Sequence, residues 1–579
     1  MSAEDRRRAR ERNKDSAGPD DSKRGARGNA APRKAVGRIG SFDRGADAPA
    51  GDQPRRSANG TTGGAKASTR SDSRASGPRG DGRASRSGLK STDGSGGPKG
   101  QGQGGRSVPK SAGKSGGSKA GAPQKDRETA QPGSRSGVDP VRLVARDVLR
   151  AVRERDAYAN LVLPTLLRER GISGRDAALA TELTYGACRS LGLLDAVIEA
   201  GSGRPVEEID GGLLDVMRLG VYQLLRTRIG AHAAVDTSVA MARNEFGQGR
   251  SGFVNAVLRR AGEKTAEQWV EELAPADPVG RLAFEFAHPV WIAQAFADAL
   301  GVRAGELADL LAADDARPLV HLVARPGEIS AEELALVTGG EEGKWSPYAV
   351  YLDGGDPGKL EPVRERLASV QDEGSQLVAL SLTRAPLEGP DGGRWLDLCA
   401  GPGGKAALLG ALAAIDQFKV DAVEPSEHRA ELVRKSTKDL PVEVHVVDGR
   451  NSGLTPGYDR ILVDAPCSGL GALRRRPEAR WRRTPADVRE LVVLQRELLS
   501  AAWELLRPGG VVVYSTCSPH LAETVSVVGD FVRRSGAVEL DTRELLPGVT
   551  DIGDGPGAQL WPHRHGTDAM FLVALRKPL

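Results

Sequence analysis

Cysteine is scarce in this 579-residue chain. There are four, Cys188, Cys399, Cys467 and Cys517, and no two of them form a C-x-x-C pair. That spacing argues against a zinc site and against a disulfide framework, so no metal is expected and a reducing, cytoplasmic setting fits best. Long apolar runs are missing as well. No stretch approaches the ~20 apolar residues of a membrane span, and Met1 leads into a charged run without an apolar signal core. A soluble, unexported protein with no membrane partner is expected. Aromatic residues are almost absent from the first 136 positions, where Phe42 stands alone among Gly, Ser, Ala, Arg, Lys, Asp and Pro. Such a segment cannot bury enough apolar area to offset chain entropy, which excludes a packed core and predicts a disordered tail over 1–136.

What the tail does contain is positive charge. It holds 30 Lys and Arg against 14 Asp and Glu, so about +16 sits there and about −12 in the remainder, within a whole-chain net charge of +4. A flexible cationic arm gains affinity for a polyphosphate by releasing counterions. A basic tail serves equally well as a nonspecific solubilising extension.

From Asp139 the pattern turns helical, with Val141, Val144, Val148, Leu149 and Val152 on one face. Similar segments around 163–170, 177–191, 213–225 and 253–261, without strand-like alternation, predict an all-helical domain over 137–265. One more helix is expected at 288–301. Beyond it, short apolar runs at 318–324 and 349–354, with helical stretches near 331–337 and 358–365, predict a small α+β module over 266–385, a linker or RNA-binding element. From Arg394 continuous apolar strands alternate with helices: WLDLC, VDAVE, VEVHVV, RILVDAP, a long helix over 486–506, then GVVVYST. This predicts a doubly wound α/β domain over 386–579, with AMFLVALRK as an antiparallel edge strand.

The chemistry gathers at the carboxyl ends of these strands, where open α/β sheets bind ligands. The first strand runs into a glycine turn, Cys399, Ala400, Gly401, Pro402, Gly403, Gly404 and Lys405. Alone, this is equally a structural tight turn. The next strand ends at Glu424, about 20 residues on, where an acid can accept both ribose hydroxyls of a nucleoside cofactor. The strand after it ends at Asp448, placed to meet an adenine edge. The fourth ends in Asp464-Ala465-Pro466-Cys467 and the fifth in Tyr514-Ser515-Thr516-Cys517, so two cysteines converge on one cleft. A single cysteine at a strand end is more often a small apolar residue. Two suggest thiol chemistry.

Cytosine carbon 5 is a reaction centre that needs a thiolate. It is too weak a nucleophile to take a methyl group from a sulfonium unaided, and attack of a thiolate at carbon 6 makes an enamine with electron density at carbon 5. A second acid/base group is then needed for release. Asp464 is placed to meet ring nitrogen 3.

In order and spacing, DLCAGPGGK, VEPSEHR, VVDGR, LVDAPCSG and YSTCS resemble the motifs of the Sun/Fmu (RsmB-type) family of RNA cytosine-carbon-5 methyltransferases, as do QDEGSQLVA at 371–379 and RRRPEARWRR at 474–483. The helical region, through AHAAVDTSVAMA at 231–242 and FVNAVLRR at 253–260, resembles the NusB-like RNA-binding fold. The resemblance implies a Rossmann-like, S-adenosylmethionine-dependent enzyme acting on RNA, with 16S ribosomal RNA the expected substrate. It also implies Cys517 as nucleophile, Cys467 as the residue promoting release, and cofactor contacts from 399–405, Glu424, Asp448 and Asp464. Gly401 stands where the family more often has alanine, expected to loosen the turn. A transfer-RNA cytosine methyltransferase and a non-catalytic RNA-binding assembly factor are the alternatives; a monomer is the default. The 474–483 cluster is expected either to clamp phosphates and stack a base through Trp481 or to form a solvated loop.

Overall fold

The computed structural model describes residues 138–579. The expected tail over 1–136 lies outside the described residues. The first helix, Pro140–Arg155, begins where Asp139 accepts a hydrogen bond from the Val141 amide, with Pro140 in the first turn, where its missing N–H costs nothing. Its five valines and leucines named above are all buried, as the 3.6-residue period requires. The helix Gly211–Arg226 is buried nearly all round, by Leu213, Val216, Met217, Leu219 and Val221 among others, so it forms the centre of the helical region.

Four helices follow the region read as all-helical: Ala266–Leu273, Pro278–Glu285, Val290–Leu300 and Leu307–Asp315. The sequence pattern marks only the third of these. Ile292, Phe296, Leu300, Leu310 and Leu311 pack with Leu470, Leu473 and Trp561 from the C-terminal part of the chain. The last three of these helices therefore pack on loops of the C-terminal part, while Trp269 and Val270 of the first join the core of the helical region.

The α+β module is a four-stranded antiparallel sheet. Its strands are β1 (Val320–Ala324), β2 (Glu341–Glu342), β3 (Ala349–Leu352) and β4 (Ala368–Val370), in the order β2-β3-β1-β4. The helix Glu373–Arg384 leads from it into an eight-stranded sheet of β5 (Arg394–Asp397), β6 (Lys419–Val423), β7 (Val442–His445), β8 (Tyr458–Asp464), β9 (Leu506–Thr516), β10 (Val538–Leu540), β11 (Ala558–Gln559) and β12 (Phe571–Arg576).

The order is β10-β12-β9-β8-β5-β6-β7, with β11 added to β12; β9-β8-β5-β6-β7 run parallel. The chain leaves β5 toward β6 on one side and returns to β8 on the other. That reversal opens a crevice at the carboxyl ends of β5 and β8. One expectation is corrected: the AMFLVALRK segment is antiparallel but not an edge, because β12 lies between β9 and β10. β10, only three residues long, takes the edge, where a long apolar strand would invite pairing with another chain.

Candidate active site

Strands β8 and β9 run parallel, with Asp464 in register with Ser515. Both chains then leave the sheet on the same side, Ala465-Pro466-Cys467 from β8 and Cys517-Ser518 from β9, so the two thiols meet. Cys467 Sγ lies 3.4 Å from Cys517 Sγ. The Cys467 thiol, hydrogen-bonding to it, lowers Cys517 below the ordinary thiol range against the opposing effect of burial. The same contact and burial push Cys467 well up, helped by the negative charges of Glu523 and Asp464. Of the two sulfurs, the surroundings favour thiolate character on Cys517.

Asp464 is held on both oxygens. Lys405 Nζ donates to Oδ2 at 2.8 Å and Ser515 Oγ donates to Oδ1 at 3.0 Å. Burial opposes the Lys405 charge, but the adjoining Asp464 carboxylate and the hydrogen bond to it raise its pKa overall. The glycine turn thus delivers a cation to the end of β8, beside Cys517.

The turn itself shows what glycine at 401 does. A Cβ there would meet Glu424 Oε2 at 2.1 Å and Arg429 Nε at 2.8 Å. Glu424, buried at the end of β6, lies against the turn, accepts from the Ser426 amide at 3.0 Å and faces Arg429 at 3.4 Å; Arg429 also donates to the Gly401 carbonyl at 2.6 Å. The missing side chain makes room for this pair rather than simply loosening the backbone. Asp448 stands apart. It caps the turn Gly449–Asn451 and is turned toward the Arg450 guanidinium, which also reaches Glu497 at 3.0 Å.

Two polar groups that sequence reasoning did not single out are left open. Asp397 Oδ2 and both ends of the Gln371 amide are buried without a hydrogen-bond partner among the described residues. Burial and the nearby Asp464 charge push Asp397 up to about 7. The Gln371 amide lies beside Gly404, the first residue of a helix, Gly404–Ile415, that has no side-chain cap. A buried acceptor carboxylate next to uncapped helix N–H groups suits a ligand bearing both an ammonium and a carboxylate, the amino-acid end of a cofactor.

Glu523 was also missed. It is fully buried and its carboxylate accepts from the Ser468 amide at 2.8 Å, Gln495 Nε2 at 3.1 Å, Ser518 Oγ at 2.7 Å and the Ser468 hydroxyl. Nothing in the pattern SPHLAET marks it, since three of its four hydrogen bonds come from residues 55 and 28 positions away.

The RRRPEARWRR cluster is neither a phosphate clamp nor a solvated loop. Arg474 reaches Asp372 at 2.9 Å and Asp568 at 3.3 Å, and Arg475 pairs with Asp568. Arg480 is fully buried against Asp315 at 2.8 Å and the Ala287 carbonyl at 3.3 Å. Trp481 donates to the Cys188 carbonyl at 3.1 Å and packs over Gly192, where a Cβ would lie 2.3 Å from the indole. Arg482 donates to the carbonyls of Val152, Asp156 and Ala157. The cluster fastens the loop after Cys467 onto the helical region. Apart from the exposed Arg476, its guanidinium groups are taken up by carboxylates and backbone carbonyls, for which a planar five-donor group is suited.

Comparison with known proteins agrees with this geometry. Residues 385–576 match the family model for 16S rRNA methyltransferase RsmB/F, and residues 139–263 match that of the NusB family. Rv1407, a protein of Mycobacterium tuberculosis (strain ATCC 25618 / H37Rv) named as a methyltransferase, is 63% identical over 447 residues, 76% of this chain and 98% of its own. Ribosomal RNA small subunit methyltransferase B of Erwinia tasmaniensis is 31% identical over 459 residues, again 76% of this chain and 98% of the relative. The solved structure of PH0851 shares the fold, with a TM-score of 0.64 at 22% identity over 76% of this chain and 99% of that one. With both family models matched in order along the chain and such relatives matched over 98% of their own length, the chain belongs to the RsmB/F family of 16S rRNA methyltransferases.

Proposed function

We propose that this protein transfers a methyl group from S-adenosylmethionine to carbon 5 of a cytosine in 16S ribosomal RNA, through a covalent adduct with Cys517. The observation that carries the reading is the pair of thiols 3.4 Å apart, delivered by two neighbouring parallel strands. Amino-group methylation needs no nucleophile and would leave this pair without a task. The names of the relatives favour ribosomal over transfer RNA as substrate.

In this reading the thiolate of Cys517 forms a bond to cytosine C6, and the electron pair of the C5–C6 double bond becomes available at C5. Nitrogen 3 takes up a proton from solvent, relayed through Asp464, as the ring loses conjugation, and returns it by the same route when the double bond is restored. S-adenosylmethionine, when bound, supplies the electrophilic methyl. Loss of the C5 proton then expels the Cys517 sulfur and restores the double bond, with Cys467 as the acid/base group for release. Asp397, Gln371 and the turn 399–405 would hold the amino-acid end of the cofactor, Glu424 its ribose and Asp448 its adenine. The working domain limits are 137–265, 266–385 and 386–579, in a cytoplasmic monomer. Among the described residues no helix is long and apolar enough to cross a membrane.

The test is transfer of label from S-adenosylmethionine to unmethylated 16S RNA and to transfer RNA, with analysis for 5-methylcytosine. The expected result is 5-methylcytosine in 16S RNA from the wild type and none from Cys517→Ala. Label transfer that survives Cys517→Ala overturns the nucleophile; RNA binding without transfer to either RNA favours a non-catalytic assembly factor.

A further inference from the structure

The methyl-transfer chemistry proposed above uses Cys517, Cys467, Asp464 and Lys405, and gives no part to the most heavily hydrogen-bonded carboxylate in the neighbourhood. Glu523 lies on the segment that follows β9, before the helix Val525–Ser535. Its two oxygens take four hydrogen bonds, from the Ser468 amide, the Ser468 hydroxyl, Gln495 Nε2 and the Ser518 hydroxyl, and the Ser468 and Ser518 hydroxyls are 3.0 Å apart. Ser468 immediately follows Cys467 and Ser518 immediately follows Cys517. Gln495 also donates to the Pro466 carbonyl at 2.9 Å, and Tyr514 donates to the Glu523 carbonyl at 2.7 Å. One buried side chain thus ties together the two turns that carry the thiols, with the link running through the residue next to each sulfur.

We propose that Glu523 decides which cysteine is the nucleophile: it fixes the two thiols in contact and, as a buried negative charge braced to the Cys467 turn, keeps the shared proton on Cys467 so that Cys517 is the thiolate. The two sulfurs are chemically identical, so their division of labour has to come from their surroundings. The charged groups facing the pair are Glu523, Asp464, Lys405, Asp568 and the Arg475 bound to Asp568. Asp464 acts against a negative charge on either sulfur. Lys405 acts for one on Cys517 and Asp568 against it, whereas Glu523 opposes one on Cys467. With Lys405 on one side and Glu523 on the other, the pair is polarised. Glu523 is a positioning residue in this account, since it acts through the cysteines and their following serines.

The inference rests on the thiol chemistry of the proposed function, but its test needs neither RNA nor cofactor. The full chain is alkylated with iodoacetamide between pH 6 and 9, and the rate at Cys467 and at Cys517 is read by mass spectrometry for the wild type, Glu523→Gln and Ser518→Ala. Gln preserves the shape and, with the serine hydroxyls rotated, the contacts, while removing the charge. The expected wild-type result at pH 7 is a Cys517 rate about tenfold or more above that of Cys467, the ratio that one pKa unit between the thiols produces. Glu523→Gln should bring the ratio toward one, and Ser518→Ala, which keeps the charge, should preserve it. Equal alkylation in the wild type overturns the proposal whatever the variants do. An unchanged ratio in Glu523→Gln overturns it as well, and collapse in both variants reduces Glu523 to a geometric brace with no part in proton placement. Failure of the methylation reading would show separately, as a wild type that makes no 5-methylcytosine.

Discussion

Lys405 and Asp464 form an ion pair of 2.8 Å across the crevice between β5 and β8, linking the glycine turn to the strand that leads to Cys467. The lysine side chain is 10% exposed and the aspartate 28%. A pair so placed is costly to break from one side, because the remaining charge is left partly desolvated. It also has a consequence for the nucleophile, since the Lys405 ammonium favours the Cys517 thiolate.

Replacing Lys405 by Met should therefore move the rise of kcat with pH to higher pH. The sign follows from the chemistry: the thiolate is the reactive form, and without the cation it forms only at lower proton concentration. A pH–rate profile of methyl transfer with saturating RNA checks this, and a profile that keeps its midpoint while losing amplitude would assign Lys405 to cofactor binding alone.

Cys467→Ala should still allow the adduct to form, though only at higher pH because the hydrogen bond that lowers Cys517 is lost, and should slow release. Covalent RNA–protein complex should accumulate and survive denaturing electrophoresis, with turnover reduced by roughly 10²-fold or more, the usual loss when an acid/base group is removed. Rapid release in this variant would transfer the role to another group.

Gly401→Ala tests the contact between the turn and Glu424. With 2.1 Å available to the new methyl, either Glu424 or the turn must shift, a strain of about 1–3 kcal/mol by comparison with other overpacked sites. Calorimetry should show weaker S-adenosylmethionine binding, by about 5–150-fold if the whole strain falls on the bound state. Unchanged affinity would mean that Glu424 moves without loss and does not hold the ribose.

Asp397 supplies a pH test. Its pKa of about 7 lies above that of an exposed carboxyl, so from roughly pH 4 to 7 the folded protein binds the extra proton and stability falls as pH rises. A bound ammonium would need the ionised form. Affinity for S-adenosylmethionine should accordingly rise between pH 6 and 8, and Asp397→Asn should flatten that dependence while raising Tm at pH 8. Titration calorimetry and thermal melts at the two pH values give both readings.

Much of this site is legible in the sequence because strand ends in a parallel sheet are fixed by short apolar runs, and whatever follows each run must lie at the same edge. Cys467, Cys517, Asp464 and Lys405 are brought together for that reason. Glu523 and the orphaned oxygen of Asp397 are not legible. Their significance depends on which side chains fold over them, and local pattern carries no record of partners from distant turns. The 474–483 cluster misleads for a related reason: six arginines in ten residues resemble a solvated or phosphate-binding face until Asp315, the buried Asp372 and Asp568 and a row of carbonyls are seen to take up most of them.

The seat of Trp481 bears on how the protein is made. The surface around Gly192 and Cys188 leaves the ribosome 293 residues before the indole that covers it. At synthesis rates of about 5–20 residues per second, that apolar notch stands open for roughly 15–60 s. Throughout that interval the helical region lacks the indole that covers Gly192, and its surface is completed only when the loop after Cys467 has been made.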